Sequence, residues 1–201
     1  MVKVEYLTKA ELEEIGETYA NYNYPENDKG MFPFDDKELL KKYIMGFAKF
    51  CMECGMLYTT SENHEGYIAY SAPDTKHPMK AVRTFFRDVV GALGWKRFLT
   101  FTKFCQSGGK SIEAQMKERK EKFVMVELLV VNEKYQGKGY MRPLMEFAIE
   151  TADRYKLPLI IDTDEGVKRD KYCHLGVHQV TGRDFGDSRY SYGMIREWNK
   201  S

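Results

Sequence analysis

Glu127-Leu-Leu-Val-Val-Asn-Glu-Lys-Tyr-Gln-Gly-Lys-Gly-Tyr-Met141 is the stretch on which the fold turns. Its first part belongs to a β-branched, apolar run over residues 123–131 that only Glu127 interrupts, so it reads as a central strand. Residues 132–139 are polar and contain Gly137 and Gly139, which predicts a loop. Residues 141–156 then place Leu144, Ala148 and Ala152, with Met145 and Ile149, on one side of a helix. Pro143 falls in the first turn, where its missing N–H costs little. A helix N-terminus has unpaired N–H groups and a partial positive charge, and glycines let the backbone approach an anion closely. Lys138 and Arg142 add charge beside it, so the segment is a candidate phosphate site. It serves equally as a glycine-relieved turn before a helix. Gly-x-Gly here lacks the third glycine of a dinucleotide fingerprint, and no P-loop follows.

Outward from this segment, the chain punctuates itself. Residues 2–7 alternate as a strand, and Thr8 with Glu11 forms a capping box that opens a helix to about Ala20. Residues 21–33 are a loop rich in Tyr, Asn, Pro and Gly. Asp35 with Glu38 signals a second helix through Phe50, which Gly55 ends. Residues 56–60 and 66–71 make a hairpin. A stripe of Ala81, Phe85 and Val89, with Val82, Phe86 and Val90, predicts a helix interrupted by Gly91 and Gly94, with a further helix over 95–105. Residues 110–122 are nearly all charged and read as a solvated helix face. Downstream come a short strand over 157–163, a helix over 167–175 capped by Gly176, and closing strands over 182–197 around Gly186-Asp187. The element order predicts one α/β domain over residues 1–201, a mixed sheet covered by helices, with a helical insertion at about 79–122.

Composition narrows the function classes. With 31 basic and 30 acidic residues the net charge is +1, so no basic footprint for nucleic acid is present. No apolar run reaches the roughly 18–20 residues that span a bilayer, so no membrane partner is expected. The charged N-terminus has no signal-peptide stretch, and four cysteines do not make a disulfide framework, so the cytoplasm is the expected compartment. Cys51 and Cys54 form a C-x-x-C pair without a second pair, which favours a structural place at a helix end over a zinc or redox site. His174 and His178 are four apart, but Gly176 between them breaks the helix that would aim both at one metal, so no metal site is expected.

Two motifs resemble the GNAT N-acetyltransferase superfamily. The family's acetyl-CoA motif is Gln or Arg, two residues, Gly, one residue, then Gly or Ala; Gln136, Gly139 and Met141 stand at those places. Tyr172-Cys-His-Leu-Gly176-Val resembles the family's Tyr-x-x-x-Gly-Phe ending. The resemblance covers residues 123–177; Met141 and Val177 depart from the pattern. It implies a mostly antiparallel, twisted sheet flanked by helices and acetyl-CoA as co-substrate. It further implies that Leu129, Val130 and Val131 pair with the pantetheine arm, and that backbone amides of Gln136, Gly137, Lys138, Gly139, Tyr140 and Met141, with Arg142, hold the pyrophosphate.

The chemistry assigns expectations to single residues. Amine attack on a thioester needs a base, a polarising donor and an acid. Glu127, a lone carboxylate in an apolar strand, is the candidate base; it also fits as a strand residue facing water or paired with a lysine. Tyr172 is the candidate acid, or a packing tyrosine with a satisfied hydroxyl. In the family the first helices wall the acceptor cleft. Here that region carries Tyr19, Tyr22, Tyr24, Phe32 and Phe34, of which Tyr22, Tyr24 and Phe32 are candidate substrate contacts, with Glu26, Asp28, Asp35 and Asp36 nearby; the set suits a cationic amine and equally a layer of surface aromatics covering the sheet edge. The expected function is N-acetyl transfer to a primary amine of a small molecule or peptide, by a monomer or homodimer. A non-catalytic acyl-CoA sensor or scaffold is the alternative, and another phosphate ligand such as ATP or NAD is a third.

Overall fold

A computed structural model describes residues 1–25 and 29–198. The elements run in chain order: β1 (Val2–Lys3), α1 (Lys9–Ala20), α2 (Lys37–Glu53), β2 (Leu57–Thr59), β3 (Gly66–Ser71), α3 (Met79–Gln106), α4 (Ile112–Glu118), β4 (Val124–Val131), α5 (Met141–Tyr155), β5 (Leu159–Thr163), α6 (Gly166–Cys173), β6 (His178–Asp184) and β7 (Tyr190–Arg196). The strands form one sheet in the order β1-β2-β3-β4-β5-β7-β6, in which only β4 and β5 are parallel. The mixed, mostly antiparallel sheet flanked by helices is thus as expected.

Local chemistry explains the boundaries. The capping box at the start of α1 is complete: Glu11 N–H donates to Thr8 Oγ1, and the Glu11 carboxylate accepts from Thr8 N–H at 2.7 Å. The cap of α2 is Asp36 rather than Asp35: Asp36 accepts from Leu39 N–H, whereas Asp35 takes Arg189 at 2.6 Å. β1 is shorter than the predicted strand because the chain leaves the edge of β2 after Val4 to reach the Thr8 cap. Of the two glycines expected to interrupt α3, Gly94, at φ 73° and ψ 155°, breaks it into two segments, whereas Gly91 keeps helical backbone and does not. Val82 and Phe86 are exposed, unlike the rest of the predicted stripe, because the helix buries only Ala81, Val89 and Leu93. The charged segment 110–122 is only partly a solvated face: Ile112 and Met116, one turn apart on α4, are buried against Ile160 and Ile195.

Helices α1, α2 and α4 cover one face of the sheet, and α5 and α6 the other. α3 packs on α2 outside the sheet, through Phe32, Leu39, Val89 and Leu93. On α5 the predicted residues Leu144, Met145, Ala148 and Ala152 are fully buried; Ile149 is half-buried against them. Each large side chain among them contributes about 1.5–3 kcal/mol of burial.

One irregularity decides where the cleft opens. Ala69 pairs with Leu128 and Tyr70 with Val126, so Glu127 is an extra residue in β4, a β-bulge. Packing records the resulting flip. Before the bulge Val124 and Val126 face α5; after it Leu128 and Val130 face α1 and α2, and Leu129 and Val131 take over the α5 side.

Candidate functional site

β4 and β5 pair only from Val124–Leu159 to Val126–Ile161. Beyond the bulge they part: β4 stays with β3 as far as Val131, and β5 stays with β7 as far as Thr163. Parallel strands that diverge leave a cleft with one strand's polar edge exposed. Asn132 N–H turns toward β3, donating to Glu65 O at 3.0 Å. Alternation along the strand then points the N–H groups of Val131 and Leu129 into the cleft. The carbonyl of Val131 also faces this way and accepts from Gln136 Nε2 at 3.0 Å. That bond pins the start of the glycine loop to the end of the strand.

The cleft is a cavity of about 600 Å³. It brings together most of the sequence-predicted residues: Glu127, Leu129, Val130, Val131, Gln136, Gly137, Gly139, Tyr140, Met141, Arg142, Tyr172 and Tyr22 all line it. Gly137 and Gly139 adopt φ of +74° and +86°, and nothing lies within 4 Å of where a Cβ would stand. Their need is therefore conformational and not one of space. No side chain caps the start of α5; Arg142 N–H donates to Gly139 O at 3.2 Å, Pro143 has no N–H, and Gln136 N–H is spent on Glu133 O at 3.1 Å, so the amides offered to an anion are those from Gly137 to Met141. These features fit a pyrophosphate. Lys138 stands apart from the cavity wall, with Nζ donating to Lys134 O at 2.9 Å. Met141 packs against the α5 core as well as lining the cavity.

At the bulge, the half-buried Glu127 accepts from Ser71 Oγ at 2.7 Å. Burial pushes its carboxyl above the ordinary range; the Ser71 hydroxyl pulls it partly back, Glu113 on α4 adds an upward push, and Lys117 a downward one. Tyr172, on α6, is buried, and burial with the nearby charges of Asp164 and Glu165 keeps its hydroxyl protonated well above the usual tyrosine range.

Tyr22 and Tyr24 hold a second set of groups. Tyr22 donates to Glu165 at 2.5 Å and Tyr24 donates to Asp164 at 2.6 Å. Lys168 donates to the other oxygen of Asp164 at 2.8 Å, with its Nζ 4.0 Å from the Tyr22 ring centroid and 5.0 Å from that of Tyr24. Tyr24 thus acts on the cavity through Asp164 and does not line it. Phe32 lies away from the cavity, buried under α3 with Leu39 and Val89, because its ring joins the cluster of Phe34, Tyr43 and Phe101. Its neighbour Met31 faces the cavity instead. Glu26 and Asp28 lie outside the described residues. Asp35 anchors the loop before α2 to the β6–β7 hairpin through Arg189, and Asp36 is spent on its cap.

Several lining residues had not been singled out. Asp162, Arg183 and Ser191 meet near the bulge end, with Arg183 donating to Ser191 at 3.2 Å and standing 3.6 Å from Asp162. Burial raises the Asp162 carboxyl, against the pull of Arg183. A signal existed for the carboxylates: Asp162, Asp164 and Glu165 crowd the end of an apolar strand. Arg183 and Ser191 carry no local signal, since only the β6–β7 pairing delivers them.

The Acetyltransferase (GNAT) family model matches residues 19–169. No protein of curated function matches the sequence. Among solved structures, PH1933 from Pyrococcus horikoshii OT3 is similar, with a TM-score of 0.57 at 15% identity over 98% of this chain and 96% of that one. Arylalkylamine N-acetyltransferase 2 from Aedes aegypti gives 0.54 at 12% identity, covering 97% and 98%. A Drosophila melanogaster polyamine N acetyltransferase gives 0.51 at 13% identity, covering 95% and 97%. At these identities the likeness bears on the fold alone.

Proposed function

The chain belongs to the GNAT acetyltransferase family, and from that premise we propose that it transfers an acetyl group from acetyl-CoA to a primary amine by direct attack. The observation that carries this reading is the parting of β4 and β5 at the Glu127 bulge. One cleft then joins an anion-accepting loop at one end to a carboxylate at the other.

In this reading, the amides of residues 137–141 and the Arg142 side chain hold the pyrophosphate, Gln136 instead tying the loop to β4 through its side chain, and the free edge of β4 pairs with the pantetheine arm. A cleft-facing N–H of Leu129 or Val131 polarises the thioester carbonyl. Glu127, directly or through a water, takes the proton of the incoming amine, whose nitrogen then attacks the carbonyl carbon. The C–S bond breaks as the C–N bond is completed, and Tyr172 protonates the departing thiolate. The high proton affinity of Tyr172 keeps it in its donor form; the raised carboxyl of Glu127 is a better base than an exposed one. Tyr22, which lines the cleft, is the contact for an amine on a small molecule or a peptide, and Tyr24 supports that wall through Asp164, while Lys168 already fills the cationic place over both rings. The four cysteines are free thiols, which fits the reducing cytoplasm.

The test is thermal unfolding with excess acetyl-CoA, with ATP and NAD as controls, followed by thiol release with a panel of amines. Ligand at a hundredfold excess over its dissociation constant stabilises by about 2.7 kcal/mol. For a chain of this length that is a rise of roughly 6 °C. No shift with acetyl-CoA removes the donor site; a shift without thiol release from any amine leaves a CoA-binding module in its place.

A further inference from the structure

We propose that the outer face of α3 docks on an anionic lipid surface, lying in the plane of the membrane without crossing it. Among the described residues, five of the twelve exposed large apolar side chains lie on this helix: Met79, Val82, Phe86, Trp95 and Leu99. Across the Gly94 break, the half-buried Phe98 links Phe86 to Trp95. The Phe86 and Phe98 rings are 5.3 Å apart, and those of Trp95 and Phe98 5.8 Å. Helical spacing puts Met79, Val82 and Phe86 on one strip of the first segment, and Trp95 and Leu99 on one strip of the second.

Charge identifies the occupant. α3 carries Lys80, Arg83, Arg87, Lys96, Arg97 and Lys103 against Asp88 alone, a surplus of five positive charges in a chain whose net charge is +1. Lys80, Arg83 and Arg87 flank the apolar strip of the first segment, and Lys96 and Lys103 that of the second. A second copy docking the same face would set this surplus against itself, which opposes a self-complementary dimer. Aromatic and aliphatic side chains bordered by Lys and Arg match the boundary between acyl chains and anionic headgroups. Among the described residues no helix is long and apolar enough to cross a membrane, and the proposed contact is an in-plane one. The expectation of no membrane partner came from the lack of a spanning run, which has no bearing on an in-plane helix. The inference is independent of acetyl transfer.

The full chain is sedimented with phosphatidylcholine vesicles, with and without phosphatidylserine. It is expected to pellet only with the anionic vesicles, less so as salt rises. Each of Lys80→Gln and Lys96→Gln is expected to weaken partitioning about fivefold. Phe86→Ser with Trp95→Ser is expected to abolish it while the unfolding temperature holds. Tryptophan emission should shift to the blue on anionic vesicles, and Trp95→Phe, which leaves only Trp198, should remove that shift. Failure to pellet, equal pelleting with both vesicles, or undiminished binding by the double Ser variant overturns the proposal. So does self-association in solution that the double Ser variant abolishes, since that would give the face to a second copy.

Discussion

Glu127→Gln separates the charge of the candidate base from its shape. The amide keeps an oxygen where Ser71 Oγ now donates at 2.7 Å, and the volume at the bulge is unchanged. Only the titrating proton is lost. A positioned general base contributes about 10²–10⁴-fold, which is roughly 3–5 kcal/mol of transition-state stabilisation. The variant should therefore lose that much in kcat/KM, while KM for acetyl-CoA holds because the loop 136–141 is untouched. Wild-type rates should rise with pH through the elevated Glu127 value, and the variant should lack that limb. Stability should move the opposite way. Burial, chiefly, raises the carboxyl above its ordinary 4.5, so in the window between the two values the folded chain holds a proton that the unfolded chain has released. The stability this group contributes is full below that window and lost as pH rises through it. Gln escapes the loss, so above the window the variant should unfold at the same temperature as wild type or higher. Thiol-release kinetics as pH rises from 4.5, and paired melting curves, decide it. Unchanged turnover with the acidic limb intact would refute the base assignment; a lower melting temperature at alkaline pH would refute the account of its burial.

Tyr172→Phe should lower kcat by roughly 10²–10⁴-fold if the hydroxyl protonates the thiolate, with acetyl-CoA binding preserved; single-turnover thiol release checks it. Gly139→Val forces a β-branched residue to φ +86°, where nothing crowds the side chain but the backbone resists by about 1–2 kcal/mol. It should raise KM for acetyl-CoA with kcat nearly constant, the pattern of lost uniform binding, and steady-state kinetics at saturating amine test this.

Much of the fold was legible because its signals are local. The capping box at Thr8 and Glu11, the stripe on α5, the Gly94 break and the strand–loop–helix around Gly139 each depend on residues within a few positions. Reading failed where a nearby competitor won or where distance mattered. Asp35 carries the same capping chemistry as Asp36, yet Arg189 claims it from the far end of the chain. Phe32 sits in a loop whose composition suits an acceptor wall, yet α3 offers its ring a deeper berth. Residues 110–122 are so charged that Ile112 and Met116 were hidden among them, though one turn of spacing makes a buried edge.

The sequence by itself determined the element types, the place of the glycine loop ahead of α5, and the two motifs that resemble the family. All of these arise from short-range periodicity, capping and backbone freedom. Tertiary structure alone decided that β4 and β5 part at Glu127, because a bulge is defined by what stands opposite, and Ala69 and Tyr70 lie some sixty residues away in the chain. It also decided that Asp162, Arg183 and Ser191 share the bulge end of the cleft, that Tyr22 lines it while held by Glu165, and that Tyr24 reaches it through Asp164. These contacts join strands and loops far apart in sequence, and no local pattern encodes a partner that only the closed sheet brings near.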